Sequence, residues 1–281
     1  MHLAVKLAYN GSRFHGSQRQ GDDDEGSVEG SVAAALRKVA NGVDWSRWPL
    51  NFSSRTDAGV SALGNVFSLE TDMDPDELLR ALNANLMDIW CWGWGTPRPG
   101  QNMRWATSRW YRYHLPPVAV APDRLNDLND VLSRFVGEHD FSHLCRLEEE
   151  KNPVTVIESA KAYDLSGNGE LIVVDIVGSR FLWNQVRRMV GAALGVVEED
   201  LTADDLAKLI DGARDGMETI KTGIRTMPPT GLVLMDVHFK DIDFRISDEA
   251  LKVALERNKE MAWEASIRVL LHTAMRSMYN D

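Results

Sequence analysis

Residues 64–94, GNVFSLETDMDPDELLRALNANLMDIWCWGW, set the architecture. Gly64 to Thr71 reads as a strand. Pro75 then opens a helix, because its missing N–H falls where a helix has no acceptor to offer and its fixed φ is already helical. Leu78, Leu79, Leu82 and Leu86 follow at the spacing that places them on one helical face. Ile89 to Trp94 returns to a strand with Trp90, Trp92 and Trp94 on one side, a pattern read as core or interface rather than a stacking platform.

Working backwards, Leu3 to Tyr9 alternates like a strand, Ser27 caps a helix carrying Val28, Val32, Leu36 and Val39, and Leu50 to Ser53 is a short strand. The order is β-α-β-β-α-β. Beyond Pro97, Pro99 and Gly100, which read as a linker, it begins again. A strand at 105–114, a helix at 123–137 and a strand at 154–164 lead to a hairpin at Gly167 and Gly169. A strand at 170–177, helices at 181–197 and 203–213, and a strand at 232–239 complete the series. The expected fold class is α+β, two tandem ferredoxin-like βαββαβ units with helices on one face of each sheet and the other faces free to meet or to bind. The 281 residues suit two such units, expected at 1–100 and 101–246. A helical extension at 247–281 carries an apolar stripe, Leu251, Leu255, Trp263, Ile267 and Leu270, expected to dock on the body.

With 44% hydrophobic and 26% charged residues, the chain has the make-up of a globular protein. No run approaches the ~18 to 20 apolar residues of a membrane span, and no signal-peptide order opens the chain, so a cytoplasmic location is expected. Cys91 and Cys145 are the only cysteines, which excludes a disulfide framework and a four-cysteine zinc module. His139, His143 and Cys145 are read as structural, with no metal expected. Phosphate-loop and dinucleotide fingerprints are absent.

A net charge of −11 argues against a polyanionic partner, but the charges are segregated. Residues 1–21, 89–122, 176–197 and 219–235 contain no acid, and 45–69 contain one, Asp57. Together these tracts hold 14 Lys or Arg against that single Asp, and the rest of the chain 17 against 41. Such tracts are either buried strands or, if they converge, a basic face on an acidic body, the footprint of nucleic-acid binding. Within them lies a small-residue loop, Ser53-Ser54-Arg55-Thr56-Asp57-Ala58-Gly59-Val60-Ser61-Ala62-Leu63-Gly64. Small neighbours let a flat ligand approach the backbone. Asp57 is either a turn cap paired with Arg55 or an ionised nucleophile or base in a positive surround.

This loop resembles the Gly-Arg-Thr-Asp-Ala-Gly-Val-His-Ala signature of the TruA family of tRNA pseudouridine synthases. Tyr9 to Gln20 is similar to that family's N-terminal Tyr-Asp-Gly and Gly-Trp-Gln-x-Gln stretch, and Ala106 to Tyr113 to its Arg-x-Tyr-x-Tyr strand. Phe181 to Gly191 resembles its Phe-x-x-x-x-Val-Arg-x-x-Val-Gly helix, and Pro229 to Leu234 its Gly-Leu-x-Leu strand. The departures are Asn10 for Asp, Ser17 for Trp, Ser54 for Gly and Ser61 for His, all at positions that flank RNA in the family.

The resemblance implies a pseudouridine synthase fold with a central cleft and an isomerase that needs no cofactor, since uridine and pseudouridine differ by no redox change. The implied substrate is tRNA at uridines 38 to 40 of the anticodon stem-loop, bound by a homodimer. It implies that Asp57 is catalytic, attacking the base or the sugar or abstracting a sugar proton. Tyr111 would stack on the extruded base and Leu232 pack its other side. Arg187 would pair with Asp57. Arg55 would fill the space the base leaves or grip the adjoining phosphate, and Arg13, Gln18, Arg109 and Arg188 would contact RNA elsewhere. The alternatives are a synthase with a different or broader RNA target, a non-catalytic RNA-binding module, which would not need the Arg-x-Asp loop, and a hydrolase, which would call for a metal cluster or second acid nearby.

Overall fold

A computed structural model describes residues 1–21, 24–39, 50–117, 119–147, 151–212 and 224–280. The N-terminal half follows the expected order: β1 (His2–Tyr9), α1 (Val28–Val39), β2 (Asn51–Phe52), β3 (Ser61–Glu70), α2 (Pro75–Asn85) and β4 (Ile89–Gly95). Each helix start has a local cause. The Ser27 hydroxyl accepts the Gly30 N–H, and the Asp74 carboxylate accepts those of Asp76 and Glu77 just before Pro75. In the second half, β5 (Ser108–His114), α3 (Leu125–Ser133), β6 (Gly137–Asp140), β7 (Val154–Asp164) and β8 (Ile172–Gly178) are followed by α4 (Gln185–Val197), α5 (Ala203–Ile210) and β9 (Leu232–His238). The short β10 (Arg245–Ile246) and the long α6 (Asp248–Asn280) end the chain. No described helix is long and apolar enough to cross a membrane.

The fold is α+β, with the strands in one mixed sheet ordered β10-β4-β1-β3-β9-β5-β8-β7-β6 and β2 added on β3. The two half-sheets meet edge to edge rather than face to face. β3 and β9 run parallel through Ser61 opposite Val233 and Ala62 opposite Leu234, whereas the other pairings between described strands are antiparallel. α1 and α2 pack on each other over the first half, and α3 and α4 over the second. Leu3, Val5, Leu7, Leu78, Leu79 and Leu82 form one part of a continuous core, and Leu128, Leu132, Val174, Ile176, Met189 and Leu194 another.

Several boundaries differ from expectation. The helix expected to reach residue 137 stops at Ser133, because Gly137 takes a φ of +119° and turns the chain into the unforeseen strand β6. α4 starts at Gln185 instead of 181, because Asn184 is left-handed at φ 64°. α5 ends at Ile210, and residue 213 lies outside the described residues, as do 45–49 and 219–223 of the acid-poor tracts. Three residues of the stripe on the last helix do not dock: Leu255, Trp263 and Ile267 are exposed, Leu251 is half-buried, and among the described side chains of α6 the buried ones are Ala250 and Ala254. The helix is instead held near its start by polar ties, Asn83 Nδ2 to the Ala250 carbonyl and Arg257 to the carbonyls of Asn83 and Leu86. The Leu270 side chain lies outside the described residues.

Candidate active site

The Asp57 loop spans from β2 to β3, beside the seam between the half-sheets. A buried polar cluster holds its first half. The Tyr9 hydroxyl pairs with Thr56 Oγ1 at 2.8 Å, and Asn65 Nδ2 donates to the Tyr9 hydroxyl at 3.1 Å and to the Ser54 carbonyl at 3.0 Å. Burial pushes the Tyr9 hydroxyl up to about 12, so it serves this cluster as a neutral phenol. From the other side, Gly16 bridges Asp57 in antiparallel fashion, and the buried Ser17 hydroxyl accepts the Thr56 N–H at 2.7 Å. Gly59, at φ +82°, lets the loop pass so close to Pro229 that a Cβ there would lie 3.1 Å from the proline ring.

Three of the departures from the family pattern thus have structural work. Ser17 braces Thr56, Ser61 accepts the Gly11 N–H at 3.0 Å, and Asn10 caps the turn that follows it by accepting the Ser12 N–H. Ser54 has no such role, since its buried hydroxyl finds no partner among the described residues.

Asp57 and Arg187 come together across the seam, with Arg187 Nη1 3.5 Å from Asp57 Oδ2. The carboxylate remains about one third exposed, its side chain at 36%. Arg187 is also anchored elsewhere, by Nε donating to the Met227 carbonyl at 2.5 Å and Nη1 to Asn184 Oδ1 at 2.9 Å. Burial raises the Asp57 carboxyl above its ordinary range, and the charge and hydrogen bonding of Arg187 work against that rise without cancelling it. The carboxylate is therefore more basic than a solvated Asp, a useful property for a base or nucleophile.

Tyr111 is buried on β5, with Phe181 edge-on to its ring at 5.2 Å and 87°. Burial, then the Tyr9 hydroxyl, raises its own hydroxyl strongly, and the Asp57 charge adds to that rise while Arg109 opposes it, which places Tyr111 within electrostatic reach of Asp57. Leu232 is buried at the start of β9, paired with Tyr113 of β5. The turn before it is fixed from two sides, by Arg187 on Met227 and by the Tyr113 hydroxyl donating to the Pro228 carbonyl. The β2–β3 loop, α4 and β5 thus bring Asp57, Arg187 and Tyr111 together from far apart in sequence, and Leu232 lies two residues along β9 from Leu234, the cross-strand partner of Tyr111.

The remaining candidates divide. Arg55, Gln18 and Arg13 are exposed, Arg13 with an ion-pair contact to Asp88 at 3.6 Å. Arg188 is half-buried and tied to the Cys145 carbonyl and Thr226 Oγ1. Arg109, read from sequence as an RNA contact, lies inside the protein. Its guanidinium donates to the carbonyls of Ser53, Arg104, Ala106 and Ser179, which leaves little of it for a ligand. The RNA contact was what the resemblance implied, and no local pattern signals four carbonyl acceptors. Sequence reading also passed over Arg104, Lys151 and Arg180, whose charges reach one another beside Arg55. Among the described residues no group of three His, Cys, Asp or Glu side chains could hold a metal ion.

A profile of the tRNA pseudouridine synthase family matches residues 131–240. Curated relatives cover far more of the chain. The tRNA pseudouridine synthase A of Pyrococcus furiosus is 30% identical over 282 aligned positions, covering 100% of this chain and 97% of that protein. Those of Thermococcus sibiricus and Archaeoglobus fulgidus are 34% and 35% identical, covering 90% and 92% of this chain and 90% and 91% of the relatives. With identity of this degree running through almost the whole of both chains, and the Asp57 loop seated where its carboxylate meets Arg187, the protein belongs to the tRNA pseudouridine synthase A family, isomerases that convert uridine to pseudouridine.

Proposed function

We propose that the protein isomerises uridines 38 to 40 of the tRNA anticodon stem-loop, acting as a cytoplasmic homodimer, with Asp57 as the catalytic group. The observation that carries the reading is the Asp57–Arg187 contact, a single carboxylate of raised basicity facing a buried tyrosine at the seam.

A uracil inside a stem is out of reach, so the nucleotide must be extruded before reaction. Tyr111 and Leu232 offer the base an aromatic and an aliphatic wall, and Arg55 is exposed at the loop surface where the displaced stem or its phosphate would lie. The reaction then breaks the N1–C1′ bond, turns the uracil and joins C5 to C1′; the C5 proton departs and N1 ends protonated, so atoms and electrons balance without a redox partner. Ionised Asp57 serves as nucleophile toward the base or sugar, or as base toward a sugar proton. Arg187 favours the ionised form while the bound base excludes water.

Incubating purified protein with unmodified tRNA transcripts, followed by chemical marking of pseudouridine and primer extension, tests the reading. Marks at 38 to 40 are expected. Marks elsewhere alone would replace the target, and an absence of marks on any RNA would remove the activity. Light scattering at working concentration checks the dimer, which a monomer mass would overturn.

A further inference from the structure

Beside Arg55 the surface gathers cations that the base pocket does not use. Arg55 and Arg104 line a cavity of about 210 Å³ together with Gln18, Asn51, Asn102 and Glu29. Arg180 donates from Nη2 to the carbonyls of Asn152 and Val154, both at 2.8 Å, which seats it beside Lys151. Burial and then Arg104 disfavour the charge on Arg55, with Glu29 offsetting part of the effect. Burial and then Arg55, Arg104 and Arg180 disfavour that on Lys151. Among the described residues no carboxylate lies within ion-pair distance of Arg55, Arg104 or Arg180. Arg55 and Arg104, like charges on one cavity, raise the energy of the free protein, and an anion bound between them relieves it.

The backbone beneath the cluster has one organiser. The buried Arg109 guanidinium takes the carbonyl of Ser53, two residues before Arg55, that of Arg104 itself, and that of Ser179, which precedes Arg180. Three separate segments, each carrying one surface arginine, are thus fastened to a single planar fork. Ammonium groups lack that fork geometry.

We propose that Arg55, Arg104, Lys151 and Arg180 form a phosphate-binding subsite for the RNA strand flanking the target nucleotide, and that Arg109 is the positioning residue that assembles it. The proposal rests on the synthase reading for the identity of the RNA. Guanidinium groups match phosphodiester oxygens in pairs, and the polar cavity walls at Asn51, Asn102 and Gln18 face the same strand.

The test is tRNA affinity as a function of salt, with thermal unfolding and steady-state kinetics on the same proteins. Arg104→Ala and Arg180→Ala, both at exposed positions, should each weaken binding roughly three- to tenfold near 0.1 M salt and lower the slope of log K against log salt by about 0.7 to 0.9. The kinetic loss should appear chiefly in KM. The double variant should lose about twice that slope. Arg109→Lys should lower the slope by more than one contact's worth although Arg109 itself touches no phosphate. Wild-type slopes in the Arg104 and Arg180 variants would overturn the subsite. A lowered melting temperature with a wild-type slope in Arg109→Lys would reduce Arg109 to a purely structural brace, and if that variant does not fold, the double variant still decides the subsite. If wild-type protein made no pseudouridine in the same reactions, the synthase reading would fail, while the slopes would still decide whether these cations bind RNA phosphate.

Discussion

The two faces of strand β5 engage arginine–carboxylate contacts of opposite character. On one face Arg112 grips Asp175 of β8 with two parallel hydrogen bonds, Nε to Oδ1 at 2.7 Å and Nη2 to Oδ2 at 2.8 Å, both side chains at most one fifth exposed. The other face carries Tyr111, and there Arg187 Nη1 approaches one oxygen of Asp57 at 3.5 Å while also donating to Asn184, and Nε holds the Met227 carbonyl. The first pair is satisfied and holds two strands in register at a directly opposed position. In the second the carboxylate keeps an exposed edge and a raised basicity. A carboxylate meant for stability is saturated with donors, whereas one meant for chemistry is left short of them at some cost to the fold.

The largest effect should come from removing the under-satisfied carboxylate. Asp57→Ala should abolish single-turnover pseudouridine formation, by at least about a thousandfold. tRNA affinity should stay equal or become slightly tighter, because a negative charge has left a basic surround; appreciable turnover would move the reactive group elsewhere.

Next in size is Arg187→Met. Because burial raises the Asp57 carboxyl and Arg187 opposes that rise, the wild-type rate should fall as pH drops through a value above the ordinary 3.8. Without Arg187 that acid limb should move to still higher pH, and the rate near neutrality should fall roughly a hundredfold. A pH–rate profile with an unmoved limb would contradict the assigned role.

On the opposite face, Arg112→Met should cost about 1 to 3 kcal/mol of stability by stranding Asp175, with little change in rate per folded molecule. Chemical denaturation paired with an activity assay checks this. Smallest is Ser54→Ala. Removing a buried hydroxyl without a partner should leave stability unchanged or raise it by up to about 1 kcal/mol, read as a higher melting temperature.

The contrast between the faces also explains what the sequence could tell. Local periodicity carries the strands and the helix caps, so the alternation of His2–Tyr9, the Pro75 helix and the Val154–Asp164 strand are all visible in the chain. The Arg-Thr-Asp loop is legible because its residues are contiguous and resemble the family signature, whereas its small residues alone leave Asp57 open as a turn cap. The parallel β3–β9 junction is not, since it depends on partners about 170 residues apart and carries no turn signal. Arg109 misled because burial of a cation is a property of its acceptors, here four carbonyls from three segments. Leu255, Trp263 and Ile267 of the α6 stripe misled for the converse reason, that an apolar period records a capacity to dock, while among the described side chains the small Ala250 and Ala254 are the ones buried where α6 meets α2 and β4.

The most direct test sets the two carboxylates side by side, measuring single-turnover pseudouridine formation and thermal unfolding on Asp57→Asn and Asp175→Asn. A folded-state pKa above the unfolded one means that Asp57 contributes stability when protonated and loses that contribution as pH rises through the folded value. At neutral pH Asp57→Asn should therefore melt at or above the wild-type temperature while forming no product, and Asp175→Asn should melt lower while its folded fraction still turns over. Product from Asp57→Asn, or a silent Asp175→Asn of wild-type stability, would contradict the assignment of chemistry to one face and scaffolding to the other.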